Sequence, residues 1–260
     1  MRSPAALMGT STNRLTYVGH ATVLIELGGV RLLTDPVLRA SIGHLRRHGP
    51  VPAPEVSEKL DAVLVSHLHL DHLDLPSLRR IDRGVRLLVP RGAGALARKA
   101  GFAHAEELVA GDSVRVEGLE IVATDAVHDD RRRPMGVTRA DAIGFVLRGE
   151  RSIYFAGDTD LFDDMAQLEP DLDVALLPIW GWGPSLGPGH LDPGGAARAA
   201  AMLRPRIAVP IHWGTFYPRG LRAGERLTGP PQEFGAQLAR LAPDVEVHVL
   251  NPGQSLTLPA

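Results

Sequence analysis

Three histidines and an aspartate fall within six consecutive residues of the stretch "VSHLHLDHLDLP" (residues 65–76), as His67, His69, Asp71 and His72. Shuffling the chain's own composition would give His-x-His-x-Asp-His only about one time in a thousand, so the pattern asks for a chemical explanation. Imidazole nitrogen and carboxylate oxygen are ligands for divalent metals. His67 and His69, two apart at the end of an apolar run, would share one side of an extended strand and form a chelating pair. Asp71 and His72 follow at the turn into the next element, where the changing backbone direction can aim them at a second point, so one segment could serve two ions. Further candidates stand where apolar runs give way to loops: His128 in "ATDAVHDDRRR", Asp158 in "YFAGDTD", His190 in "GPGHLDP" and His212 in "VPIHWGTF". Loops at strand ends, held by a rigid scaffold, are where functional groups concentrate. A lone histidine is more often a surface or satisfied core residue, and it is the clustering that reverses those odds.

Short apolar runs supply the strands that would position these residues: "TVLIEL", "VRLLT", "AVLVS", "RLLVP", "LEIVA", "IGFVL", "SIYFA", "DVALLP", "IAVPIH" and "VEVHVL". Gly28-Gly29 between the first two is a hairpin signal of the primed-turn kind. Helical patterns follow in "LPSLRRI", "GAGALARKA", "DLFDDMAQL", "DPGGAARAAAML" and "PQEFGAQLARL"; the fourth is marked by Asp192 as N-cap and Pro193 at the first helical position. Hairpins first and interleaved helices later point to an α/β fold with two mixed sheets face to face and helices outside, in one domain over residues 1–260. The Pro-rich stretch 40–59 reads as a long loop, a length usually reserved for lids and binding loops.

The 260 residues can bury a substantial core, and 44% hydrophobic with 22% charged content is ordinary globular material. A net charge of −2 and the lack of any Lys/Arg stripe interleaved with aromatics speak against a nucleic-acid partner. Without cysteine there are no thiolate ligands, disulfides or cysteine nucleophiles, so any metal is held by nitrogen and oxygen. The single Gly-x-Ser-x-Gly match, "GPSLG" at residues 183–187, stands in a Gly/Pro-rich loop rather than at a strand-to-helix turn, so a serine nucleophile gains no support from it. The N-terminal "MRSPAALMGTSTNR" lacks the apolar run of a signal peptide and no later window is long enough to span a bilayer, so a soluble, cytoplasmic protein without stable membrane insertion is expected.

The cluster at residues 67–72, followed in order by His128, "GDT" around Asp158, and His212, resembles the metallo-β-lactamase superfamily of binuclear metal hydrolases. "VGHATVLIELGGVRLLTDPVL" and "HLDPGGA…IHWGTF" look like the branch of N-acyl phosphatidylethanolamine phospholipase D, with the ascorbate-6-phosphate lactonases more distant. The resemblance covers residues from about 14 to 258. It implies a four-layer αββα sandwich in which His67, His69 and His128 bind one metal, Asp71, His72 and His212 the other, and Asp158 bridges both. Two divalent ions are expected, zinc first, although manganese or iron would suit the same donors nearly as well. Asp71, also a ligand, and His190 are the expected catalytic side chains. By the same resemblance His190 orients substrate or stabilises charge on the leaving group; the bland alternative is a loop histidine capping backbone.

Several neighbours carry two readings each. Asp35 in "LLTDPV" is a candidate to accept an N–H from a ligand imidazole, or is a turn residue before Pro36. His20 in "VGHAT" lies in a segment that the resemblance places under the metals. Arg131, Arg132 and Arg133 would favour an anionic substrate if they face the site, or form a solvated loop offset by Asp129 and Asp130. Trp180 and Trp182 would wall the substrate or pack on the core. The expected activity is hydrolysis of a phosphodiester or related small anionic ester, with lactone hydrolysis as the main competitor. A di-iron oxygen-reducing protein and a metal sensor are the alternatives of another class. Oligomerisation is compatible with the sequence.

Overall fold

A computed structural model describes residues 13–132, 137–180, 187–222 and 224–259. Its strands, numbered in chain order, form two seven-stranded sheets and a small third one. The first large sheet runs β17 (Ser255–Thr257), β1 (Arg14–Gly19), β2 (Thr22–Leu27), β3 (Val30–Thr34), β6 (Ala62–Leu64), β7 (Arg86–Pro90) and β8 (Glu106–Leu108). The second runs β16 (Glu246–Val247), β14 (Ile207–Ile211), β13 (Val174–Pro178), β12 (Ser152–Phe155), β11 (Ile143–Arg148), β10 (Leu119–Asp125) and β9 (Ser113–Val116). Both are mixed: β3, β6, β7 and β8 pair in parallel, as do β12, β13, β14 and β16, while β1 to β3 and β9 to β12 form antiparallel meanders.

Period-two alternation sorts the first sheet's side chains. Leu32, Ala62, Leu64 and Leu88 point into the core shared with Phe145, Ile153 and Phe155 of the second sheet. Leu33, Val63, Val65, Leu87 and Val89 point the other way, onto α1 (Leu75–Leu78) and α2 (Gly94–Ala100) through Leu78, Leu96 and Ala97. On the outer face of the second sheet lie α3 (Pro193–Leu203) and α4 (Gly229–Leu241), which contribute Ala196, Ala200, Phe234 and Leu238 to the core. This is the expected αββα arrangement. The Asp192 carboxylate caps α3 by accepting from the Gly195 N–H at 2.6 Å, a contact worth about 1 kcal/mol. Gly28 and Gly29, with φ of 59° and 84°, make the primed turn between β2 and β3.

Four local expectations change. Residues 40–59 are not an unstructured loop: β4 (Ser41–Ile42) and β5 (Leu45–Arg47) form a hairpin there, and β15 (Phe216–Pro218) adds to it as a third strand. The helix expected over "LPSLRRI" is one turn, ending at Leu78. "DLFDDMAQL" yields a 3₁₀ turn at Asp163–Gln167, and "VEVHVL" pairs only at Glu246–Val247. Among the described residues no helix is long and apolar enough to cross a membrane.

Candidate metal centre

The C-terminal ends of β3, β6, β10, β12 and β14 meet at one edge of the two sheets, and the residues that follow them gather there. Ladder pairing of β6 stops before the first histidine, because the Ser66 N–H turns to Asp35 Oδ1 at 2.7 Å. His67 and His69 therefore stand on a loop rather than on the strand. They still converge: His67, His69 and His128 offer donor atoms to one point, with ring centroids 4.4–4.7 Å apart. The tight turn that sends the Leu73 N–H back to the His69 carbonyl at 2.9 Å swings Asp71 and His72 to a second point, where His212 joins them. Asp158 stands between the groups: its Oδ2 is 3.2 Å from His72 Nε2 and its Oδ1 is 3.4 Å from His212 Nε2.

Hydrogen bonds at the outer nitrogens decide what the inner ones present. Asp35 is fully buried and can only accept. Its Oδ2 takes the His72 Nδ1–H at 2.7 Å and the Ser66 hydroxyl at 2.6 Å. With its proton given to Asp35, Ser66 Oγ accepts from His67 Nδ1–H at 3.0 Å. His128 Nδ1–H donates to the Gly189 carbonyl at 2.6 Å, and His212 Nδ1–H to the Trp180 carbonyl. The Nε2 atoms of His67 and His128 are therefore bare lone pairs, and so are those of His72 and His212 when their rings are neutral. They face one another or carboxylates: His72 Nε2 lies 3.2 Å from His212 Nε2, and His128 Nε2 lies 3.1 Å from His69 Nδ1. His67 Nε2 and Asp158 Oδ1 are buried with no hydrogen-bond partner. When the His212 ring is neutral with its proton on Nδ1, its contact with Asp158 Oδ1 places lone pair against lone pair. Converging lone pairs and orphaned buried acceptors cost free energy unless a cation sits among them. The donor set fits divalent metal.

Burial holds His67 well below the ordinary imidazole range, lowers His69, and brings His128 down to about 4, so these rings are neutral near pH 7. His72 goes the other way: burial opposes its charged form, but Asp158 and Asp35 outweigh that and hold its pKa well above the ordinary value. Without metal, one proton on His72 stands in for a cation. The carboxyl of Asp158 is held well below its usual range, because His212 and His72 outweigh its burial.

The remaining candidates fall as follows. His190 lies at the open side, its ring edge-on to His128 at 4.6 Å and its Nε2 3.9 Å from Asp158 Oδ2. His20 is buried beneath Asp71 and donates to its Oδ2 at 2.9 Å. Asp35 receives an N–H from His72, so it does more than make a turn. Arg132 does not present its guanidinium as a free anion clamp; it donates to the carbonyls of Leu68 (2.7 Å) and Leu73 (3.2 Å) and braces the histidine loop. The Arg131 backbone N–H donates to Asp129 Oδ1 at 3.0 Å, and Arg131 pairs with Arg139 in an isolated bridge. Trp180 stacks on Tyr217 at 6.4 Å, and its backbone carbonyl fixes His212. Trp182 and Arg133 lie outside the described residues.

Sequence reasoning missed the residues that hold these loops in place. Ser66 relays Asp35 to His67. Thr159 and Asp160, just past Asp158 of "GDT", hold the loops of His128 and His190: Thr159 Oγ1 accepts from Val127 N–H at 2.9 Å, and Asp160 Oδ2 from Gly189 N–H at 3.3 Å. Gly157, at φ 61°, lets the two ligand loops touch, since a Cβ there would lie 2.5 Å from Ser66 Cβ.

Residues 30–213 match the beta-lactamase superfamily domain. The chain is 36% identical over 251 residues to a UPF0173 metal-dependent hydrolase of Methanopyrus kandleri, covering 93% of this chain and 98% of that one. Among solved structures it is similar to a metallo hydrolase from the archaeon Ignicoccus hospitalis, with a TM-score of 0.71 and 25% identity over 96% of this chain and 99% of that one. It also shares its fold with a diiron β-hydroxylase from Streptomyces venezuelae, with a TM-score of 0.73 and 20% identity, covering 96% of this chain and 55% of that one.

Proposed function

The chain belongs to the metallo-β-lactamase superfamily and, within it, to the UPF0173 metal-dependent hydrolases, and from that premise we propose that it is a cytoplasmic binuclear hydrolase of a phosphodiester or a related small anionic ester. The observation that carries this is the set of inner lone pairs described above: two groups of donors, each fixed from behind by hydrogen bonds, meeting at Asp158. His67, His69 and His128 would hold one ion, Asp71, His72 and His212 the other, and Asp158 both; zinc suits these donors best. Two such ions lower the pKa of a shared water and stabilise the attacking and leaving oxygens of the reaction.

The chain's own residues do the rest. Asp35 keeps His72, and through Ser66 also His67, in the tautomer that presents Nε2. His190 Nδ1–H is engaged by the Pro188 carbonyl at 3.2 Å, so a second proton on this ring would sit on Nε2, facing the site and able to stabilise a leaving oxygen. The phosphodiester class rests on the branch-level resemblance.

The test combines metal analysis with a panel of bis-p-nitrophenyl phosphate, p-nitrophenyl esters and lactones. Close to two ions per chain and phosphodiester turnover that His67→Ala and Asp158→Ala abolish are expected. Metal-free purified protein that takes up no zinc, or variants that keep full activity, would overturn the proposal. Turnover of lactones alone would move the substrate class to the lactonases.

A further inference from the structure

His20 makes more contacts with the second group of donors than its place in a two-residue turn would require. Its backbone is left-handed, at φ 60°, a conformation that costs a non-glycine residue free energy and persists only where the surroundings impose it. The surroundings here are the candidate ligands. The His20 carbonyl accepts the His212 N–H at 2.8 Å, its own N–H donates to Thr215 Oγ1 at 2.7 Å, and its ring lies on the His212 ring at 3.8 Å between centroids. The opposite ring edge meets Phe216 at 5.4 Å, and Phe216 is in turn backed by the Arg47 guanidinium at 4.8 Å. Held this way, His20 aims Nε2 at Asp71 Oδ2, 2.9 Å away; a carboxylate only accepts, so His20 carries its proton on Nε2 and donates. The Asp71 side chain is 18% exposed and sits on a loop, and the Nε2 atoms of His72 and His212 lie farther from its Oδ2 than His20 does, at 3.9 and 4.0 Å.

We propose that His20 is a positioning residue for one ion only: it orients Asp71 and His212, and so sets the affinity of the Asp71–His72–His212 site while leaving the His67–His69–His128 site alone. The assignment rests on the binuclear reading above. None of His67, His69 and His128 is among the described contacts of His20, whereas Asp35 serves one ligand of each group. The two supporting residues therefore differ in which ions they govern. Partners of this kind set ligand orientation, and their removal typically weakens metal binding by about 10- to 100-fold.

The experiment is competition of zinc with a chromophoric chelator, which yields both dissociation constants, on the wild type, His20→Phe and His20→Gln, each checked by thermal melting. Phe keeps the ring packing and removes the N–H; Gln restores a donor of similar reach. The expected result is a first ion bound within about threefold of wild type in both variants, a second ion weakened by about 10- to 100-fold in His20→Phe, and substantial recovery in His20→Gln. Unchanged affinity at both sites in His20→Phe would overturn the proposal, and so would equal weakening at both sites, which marks a general packing role. A wild type that takes up fewer than two ions removes the binuclear premise and this assignment with it. Independently of folding in the variants, nitrogen NMR of ¹⁵N-histidine-labelled wild type loaded with zinc should show His20 protonated at Nε2; a bare Nε2 would make His20 a ligand and refute the positioning role.

Discussion

Replacing Asp35 by asparagine changes almost no volume and reverses the logic of the whole cluster. Three donors converge on the Asp35 carboxylate: the Ser66 N–H, the Ser66 hydroxyl and the His72 Nδ1–H. The backbone N–H cannot turn around, so the asparagine oxygen must stay on the Ser66 N–H side and its NH₂ takes the place of Oδ2. That NH₂ donates where two donors now point. His72 answers by giving up its Nδ1 proton and keeping the one on Nε2, where it faces Asp158 and His212. The Ser66 hydroxyl, no longer accepted by residue 35, turns to donate to His67 Nδ1 and pushes that proton to Nε2 as well. One ligand of each proposed site is blocked. At about 10- to 100-fold per supporting contact, the combined affinity for two zinc ions should fall by about 10²- to 10⁴-fold. The metal-free protein should lose about 2–4 kcal/mol, since the bonds exchanged are charge-assisted. Chelator competition reads the first number and urea unfolding the second. An Asp35→Asn protein that binds both ions with wild-type affinity would show that tautomer control through Asp35 does not operate.

Other outcomes follow from the same geometry. Gly157→Ala places a Cβ 2.5 Å from Ser66 Cβ and 2.8 Å from Ser66 Oγ at a φ of 61°, so a loss of about 2–4 kcal/mol in urea unfolding and weaker zinc binding are expected; wild-type values for both would show that the loops part freely. Without metal, stability should peak near pH 6.5. His20, held at about 3, and His128, at about 4, take up protons only in the unfolded chain as pH falls below 6.5, which costs stability on the acid side. The raised His72 stabilises fully below 6.5 and loses that contribution as pH climbs through its folded value, which costs stability on the alkaline side. Melting curves from pH 5 to 9 test this, and a monotonic trend would contradict it. Zinc must displace the His72 proton, so adding zinc near pH 7 should release acid into a weakly buffered indicator solution.

The fold and the ligand cluster were legible because each rests on short-range pattern. Alternating apolar runs gave most strands, and the 67–72 spacing announced metal chemistry. What stayed hidden depends on contacts between distant parts of the chain. Ser66 looks like the last residue of a strand until Asp35, 31 positions earlier, captures its N–H and hydroxyl. The hairpin within residues 40–59 consists of two- and three-residue strands, too short to show a period, and its partner β15 lies about 170 residues further on. Arg47 stands beside Arg46 with nothing local to mark it as buried, yet it is 6% exposed, giving N–H groups to the Val37 and Arg39 carbonyls. Arg132 reads either as an anion clamp or as part of a solvated loop and instead holds loop carbonyls. The helix over "LPSLRRI" is one turn long because the backbone bonds beyond it tighten to three-residue spacing, Arg80 N–H to the Ser77 carbonyl at 2.9 Å and Ile81 N–H to the Leu78 carbonyl at 3.1 Å.

The backbone bond from His212 N–H to the His20 carbonyl joins residues from opposite ends of the chain, as does the pairing of Leu15 with Leu256. On a ribosome adding about 5–20 residues per second, the 84 residues from His128 to His212 take roughly 4–17 s to synthesise. During that interval a nascent chain holds the three histidines of one donor group but not the last ligand of the other. The second group of donors is thus completed only when the C-terminal part of the chain has been made.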